Sequence, residues 1–231
     1  VTFFPKKINF SNYLDVLQMD RFHRYFLNSI VVTVGATFIN IFFSLITGYS
    51  FSRFKFKGAK VLLTLIILTQ LFPAAVLLIP LYKMWAELRL LNTYPSLILT
   101  YAVFTLPLSI WMLTGFMNTI PEEIDQSALV DGCSKWQSLF RIILPLSKPG
   151  IMASAIYVFI VVWQEFLFAL TFINSDVMRT LPIGLYSFIG ERVTDWGPLM
   201  AASVFTTIPI IVFFMVSQTQ FTHGVTGAVK A

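Results

Sequence analysis

Four of the eleven acidic residues of this chain, Glu122, Glu123, Asp125 and Asp131, fall within ten positions of one another. Gln126, Ser127 and Ala128 lie among them, and Gly132 closes the run. Carboxylates grouped this way lie on a segment too polar to cross a membrane. A second polar group, Gln164 and Glu165, lies inside an apolar stretch, and Gln70 lies inside another. A charge at the bilayer centre costs about 2.5–3.5 kcal/mol on insertion scales, so Glu165 should face a bundle, a partner or water rather than lipid. Two readings stay open for Glu165, Gln70, Gln164 and Asn40: a lining of a solute path, or hydrogen bonds that pack helices. Enzymatic chemistry lacks a constellation. His23 and His223 are far apart and fit no metal-ligand pattern, Cys133 is the single cysteine, no nucleophile motif occurs, and no intramembrane carboxylates are paired. No phosphate-gripping glycine loop of the Walker type occurs either.

The elements that must position these residues follow from hydropathy. Of 231 residues 57% are hydrophobic and 12% charged. Soluble domains run nearer 45–50% and about 25%, so the bilayer is the better solvent. A hydrocarbon core of about 30 Å takes about 20 apolar residues as a helix. Five spans are expected, at about 27–51, 61–82, 94–117, 150–172 and 199–216, in one all-α polytopic transmembrane bundle. These runs are too long and too uniformly apolar for barrel strands. Pro73, Pro80, Pro107 and Pro209 lie within them and are expected to bend them. Basic residues are scattered, and the net charge of +5 forms no long stripe, which argues against a nucleic-acid partner and for contact with membrane lipid. Arg53, Lys55, Lys57 and Lys60 crowd one short loop with no acid among them, which favours the cytoplasm for that loop, although Lys6, Lys7, Arg21 and Arg24 of the arm nearly balance the tally. The 118–149 loop then lies on the same side, residues 1–26 form an external arm, and 217–231 a cytoplasmic tail. The chain starts at Val1 in a polar segment unlike a signal peptide, and a preceding segment is expected.

Within 121–150, PEEIDQSALVDGCSKWQSLFRIILPLSKPG, Pro121 suits a helix start and the acids occupy the first turn, where the helix dipole favours negative charge. Gly132 can break that helix in a conformation closed to most residues. A second amphipathic helix follows through Trp136, Leu139, Phe140 and Ile143, ended by Pro145 and Pro149. Two short helices at an elbow could transmit force from a soluble partner to the spans on either side. The same pattern also fits an amphipathic loop resting on the membrane surface.

The segment resembles the cytoplasmic loop of permease subunits of bacterial binding-protein-dependent ABC importers. That pattern is Glu-Ala-Ala, three residues, Gly, nine residues, Ile, one residue, Leu-Pro. Here Gln126, Ser127 and Ala128, then Gly132, then Ile142, Leu144 and Pro145 keep the spacing, with Asp131 as in the carbohydrate branch. Gln126 and Ser127 depart from the usual Glu and Ala. RYFLNSIVVT, YSFSRFKFKG, WQEFLFAL, LPIGLYSF, DWGPLMAAS and the terminal QFTHGVTGAVKA resemble further stretches of that branch, the last three those of its maltose-permease G-type members. The resemblance implies an importer permease fold whose first span is missing from this chain, in the bacterial plasma (inner) membrane. It implies half of a translocation path for a sugar or oligosaccharide, with a second permease subunit, two ATPase subunits and an extracytoplasmic solute-binding protein as partners. ATP and Mg would sit on the partner ATPase, and this chain would bind no cofactor and catalyse nothing. Glu123, Asp125, Gln126, Ser127, Ala128, Asp131 and Gly132 would be the coupling residues, and the tail around Gly224 and Gly227 would reach toward the ATPase. An importer of a non-sugar solute, or a membrane scaffold or enzyme, are the alternatives.

Overall fold

The structure is a computed structural model that describes residues 10–189 and 194–228, without the side chains of residue 20 and of 218–228. The first nine residues of the expected arm and the last three of the expected tail lie outside the described residues, as do the side chains around Gly224 and Gly227. The elements in chain order are α1 Ser11–Gln18, α2 Asp20–Arg53, α3 Ala59–Leu68, α4 Leu78–Glu87, α5 Tyr94–Met117, α6 Glu122–Val130, α7 Lys135–Ser138, α8 Leu144–Leu146, α9 Lys148–Trp163, α10 Leu167–Phe172, α11 Leu181–Tyr186 and α12 Trp196–Ala228. Leu139–Ile143, between α7 and α8, is wound as a π-helix. Among the described residues no strand forms beyond one isolated bridge, Ile189 to Thr194. The molecule is a membrane helical bundle.

Three helices, Arg21–Arg53, Tyr94–Met117 and Trp196–Ser217, are long and apolar enough to cross a bilayer unbroken. The 61–82 run is not one straight span. Its two halves meet at 87° across Phe72 and Pro73. Proline at 73 cannot donate to the turn before it, and Phe72 is driven into the extended conformation that precedes a proline. Pro80, by contrast, sits in the first turn of α4, where no donor is needed. Pro107 and Pro209 lie inside the continuous helices α5 and α12. The 150–172 run is also interrupted: α9 ends at Trp163 and α10 starts at Leu167. The helix of 199–216 runs on to Ala228, so helical backbone occupies much of the segment expected as a tail.

The bundle centres on α2, which lies along α5 and α9. A Cβ at Gly48 would come within 3.1 Å of the Leu113 Cβ and 3.2 Å of the Thr114 backbone nitrogen, so only glycine lets the two backbones approach this closely. Asn40 is fully buried and donates to the Ala102 carbonyl at 3.1 Å and the Thr105 hydroxyl at 2.8 Å. Lipid supplies no hydrophobic drive between helices, so close contact and such bonds do the joining. The 34 residues of α2 rise about 50 Å, well beyond a hydrocarbon core of about 30 Å. Its last turns therefore emerge from the membrane and can reach the polar loop that contains α6.

Candidate functional site: the polar elbow

The 121–149 segment folds back on itself. Glu122, Glu123 and Asp125 lie in the first turn of α6. Gly132, at φ +86°, ends the helix: its N–H donates to the Leu129 carbonyl at 3.1 Å, and the Cys133 N–H donates to the Ala128 carbonyl at 2.9 Å. These two bonds close the last turn around a left-handed residue, the geometry for which glycine is suited. Ser134 then starts α7 with a capping box. Its hydroxyl accepts from the Gln137 N–H at 3.3 Å, and the Gln137 side chain accepts from the Ser134 N–H at 2.8 Å. Pro149 begins α9 after a 76° turn from the 135–146 stretch.

Two faces result. Leu139 and Ile143 are buried with Leu45, Tyr49, Leu113, Met117 and Ile120, which seats the second arm of the elbow against the C-terminal ends of α2 and α5. One turn of spacing away, Trp136 and Phe140 stack on each other in the open, rings 6.2 Å apart. Leu129 and Val130 are exposed beside Glu123, Gln126, Ser127, Asp131 and Gly132. The outward surface thus combines acids with apolar side chains and suits docking to a protein. Ala128 is buried and packs the helix inward.

Asp125 faces inward and not toward a partner. Its carboxylate takes the Arg53 Nε at 2.6 Å, the Ser138 hydroxyl at 2.8 Å and the Tyr49 hydroxyl at 3.1 Å. Arg53 donates also to the Met117 carbonyl at 3.1 Å, the Ile120 carbonyl at 3.0 Å and the Ser52 hydroxyl at 3.1 Å. The two charged side chains are only 8% and 11% exposed. Nearby, Lys55 pairs with Glu122 at 2.9 Å in the open. Arg53, Tyr49 and Ser138 are site residues that the sequence reading leaves unassigned. Arg53 there enters only as part of the basic patch, and no signal in the sequence joins it to Asp125, 72 residues on.

The intramembrane candidates divide. Gln70 and Glu165 line one cavity of about 180 Å³ together with Tyr101, Thr105 and Tyr157. Gln70 donates to the Phe104 carbonyl at 2.7 Å. Glu165 accepts from the N–H groups of Phe168 at 2.9 Å and Ala169 at 3.2 Å and from the Tyr101 hydroxyl, so it caps α10 and stabilises the break after α9. Gln164 is exposed and does not line that cavity. Among the described residues no group of three His, Cys, Asp or Glu side chains could hold a metal ion.

The fold is a polytopic helical bundle carrying a polar elbow between two of its spans, and comparison with known proteins gives the class of transport permease it belongs to. The model of the binding-protein-dependent transport system inner membrane component family matches residues 40–227, and the chain belongs to that family. It is a permease subunit of an ABC importer, and a multi-pass protein of the inner membrane. The sulfoquinovosyl glycerol transport system permease protein of Agrobacterium fabrum is 33% identical over 98% of this chain and 79% of its own length. The trehalose/maltose transport system permease protein of Thermococcus litoralis is 36% identical over 97% and 82%. The fold is shared with a chain of a bacterial ABC transporter involved in the import of the acidic polysaccharide alginate, at TM-score 0.80 and 22% identity over 94% of this chain and 81% of that one.

Proposed function

We propose that this chain forms half of the translocation path for a sugar or oligosaccharide and receives the power stroke of a cytoplasmic ATPase through its 121–149 loop. The observation that supports the stroke is the elbow itself: it is fixed to the bundle by a buried ion pair on one face and presents acids and apolar side chains on the other. Carbohydrate as the cargo is supported by relatives of about one-third identity over nearly the whole chain, whose names carry sulfoquinovosyl glycerol, trehalose/maltose and diacetylchitobiose.

In this reading Glu123, Gln126, Ser127, Asp131 and Gly132 form the contact with the ATPase, while Asp125 and Ala128 hold the contact surface in place. Gln126 offers an amide where the family pattern has a carboxylate, so its bond to the ATPase is neutral. A second permease subunit completes the path, two ATPase subunits bind ATP and Mg, and a solute-binding protein delivers the cargo from outside. This chain binds no cofactor and carries out no catalysis. Gln70, Gln164 and Glu165 contribute to the path lining, with Glu165 also holding the helix break.

The test is a mild-detergent pull-down of the tagged full chain from its native membrane, with mass spectrometry of the retained proteins. Recovery of an ATPase and a second permease is expected. Uptake by the reconstituted assembly is then measured with labelled maltose, trehalose and diacetylchitobiose. Recovery of the chain alone, in a detergent that preserves related assemblies, would count against the importer reading, and ATP-driven uptake of a non-sugar solute in place of these would count against the cargo.

A further inference from the structure

Resting on that reading, we propose that Arg53 is the positioning residue through which movement of the elbow reaches α2 and α5. The elbow has two attachments of different kinds. The second arm is seated by apolar packing, through Leu139 and Ile143. The first arm, α6, has Asp125 and Ala128 buried and Ile124 half-buried against the same apolar cluster. Beside that packing it has a polar hold on the end of α2.

That hold converges on one guanidinium. Arg53 is the last residue of α2, and its donors reach Asp125 on α6 together with the carbonyls of Met117 and Ile120 at the end of α5. Asp125 answers with Tyr49, one turn back on α2, and Ser138 on α7. Four helices are thus tied at a single buried charge pair. A planar group with five N–H donors can hold several acceptors in fixed directions, which an ammonium on a flexible stem cannot do equally well. Packing alone lets one helix slide on another, whereas this knot makes α6, α2 and α5 turn together. The stroke delivered to the outward face of α6 is carried into the two spans that line each other most closely.

The experiment uses the whole transporter, purified with its partner permease and ATPase and placed in lipid nanodiscs. A Cys133→Ser background carries Gln70→Cys as a reporter in the intramembrane cavity. Two quantities are read: ATP hydrolysis, and labelling of position 70 by a membrane-impermeant maleimide without nucleotide and with ATP plus vanadate. In the parent, labelling is expected to change by about fivefold or more between the two states, within the usual range for coupled sites. Arg53→Gln is expected to lose most of that change because the link is cut, and hydrolysis is read alongside it to show that the assembled variant still turns over ATP. Arg53→Lys should restore part of the response, since it keeps the charge but not the fork. If Arg53→Gln fails to assemble, Tyr49→Phe removes one bond to Asp125 with little change of shape and should give a partial loss. A full nucleotide response in Arg53→Gln, or in Tyr49→Phe where only that variant assembles, overturns the proposal. A parent whose labelling ignores nucleotide overturns the importer reading and the link with it, which sets that failure apart from failure of the link alone.

Discussion

The two ends of α2 each carry an arginine–aspartate pair helped by a tyrosine, and they are built for different conditions. At the C-terminal end the pair is an inner one: Arg53 and Asp125 are 8% and 11% exposed, and Tyr49 and Ser138 complete the shell. At the N-terminal end the pair is an outer one: Asp176 takes the Tyr25 hydroxyl at 2.7 Å, Arg179 at 3.1 Å and Arg21 at 3.6 Å, and Arg21 and Asp176 are 78% and 42% exposed. There the real fastening is neutral. Asn28 donates to the carbonyls of Val177 and Arg179 at 2.9 and 2.7 Å, the Ser29 hydroxyl accepts from the Leu181 N–H at 2.8 Å, and Tyr94 donates to Asn28 at 2.7 Å. The inner pair has lost its water, so each charge depends on the other. The outer charges keep their water, and the strap they decorate stays attached without them. The inner end is the one placed to carry force, and the outer end tolerates change.

That contrast sets the order of effects. Arg53→Gln leaves Asp125 buried without its counter-charge, a loss of about 3–5 kcal/mol when one partner of a buried pair is removed. Faster proteolytic cutting within 121–149 and a lower melting temperature of the purified complex are the expected readouts. An unchanged melting temperature would place the inner pair with the outer one. Glu165→Leu, between the two ends, strands the Tyr101 hydroxyl and uncaps α10. Charged hydrogen bonds are worth about 1.5–3 kcal/mol each, so a drop of about 2–4 kcal/mol in stability or a loss of uptake is expected, with Glu165→Gln milder. Wild-type uptake and melting in Glu165→Leu would show that the break after α9 holds without its cap. Gly132→Ala forces a side chain into the left-handed region at a cost of about 1–2 kcal/mol, and Gly132→Pro in addition removes the N–H bonded to Leu129. Both should reduce uptake while insertion into the membrane, followed by fractionation, stays normal.

The outer pair gives the smallest effect. Asp176→Asn should shift stability by less than about 1 kcal/mol, and added salt should erase even that, as for exposed pairs generally. The Tyr25 hydroxyl bonded to it, with Arg21 and Arg179 beside it, holds the Asp176 carboxyl below its ordinary range. A group whose folded value is lowered stabilises the fold above its unfolded value, near 3.9, and that contribution fades as pH falls below about 4. Melting curves of Asp176→Asn and the parent should therefore differ slightly at pH 7 and converge in acid. A difference that grows on acidification contradicts the assignment.

Much of this molecule was legible as sequence. Length and hydropathy determine that the chain is a multi-pass helical membrane protein, because long uncharged apolar runs have no other favourable solvent. Gly132 marks the elbow in sequence, because its positive φ acts locally, whereas the prolines expected to end the second helix do not: Pro145 lies within the helical stretch that runs to Leu146, and Pro149 in the first turn of α9. The breaks at Pro73 and Glu165 were harder. Proline at 73 interrupts its helix while proline at 107 and 209 lies inside a continuous one, a difference that residue type alone does not carry. The intact hydropathy of 150–172 hides a stop that depends on Glu165 turning back to cap the next turn.

The inward direction of Asp125 lay beyond any sequence argument. Three neighbouring acids, Glu122, Glu123 and Asp125, share one helical turn and look alike by type and spacing. Only the fold brings Arg53, 72 residues away, and Tyr49 to one of them and leaves Glu123 to solvent. Local pattern specifies which helices form, because it acts through bonds a few residues apart. Which acid becomes the buried link is decided by how α2, α5 and α6 meet, because a desolvated charge survives only where distant residues converge to satisfy it.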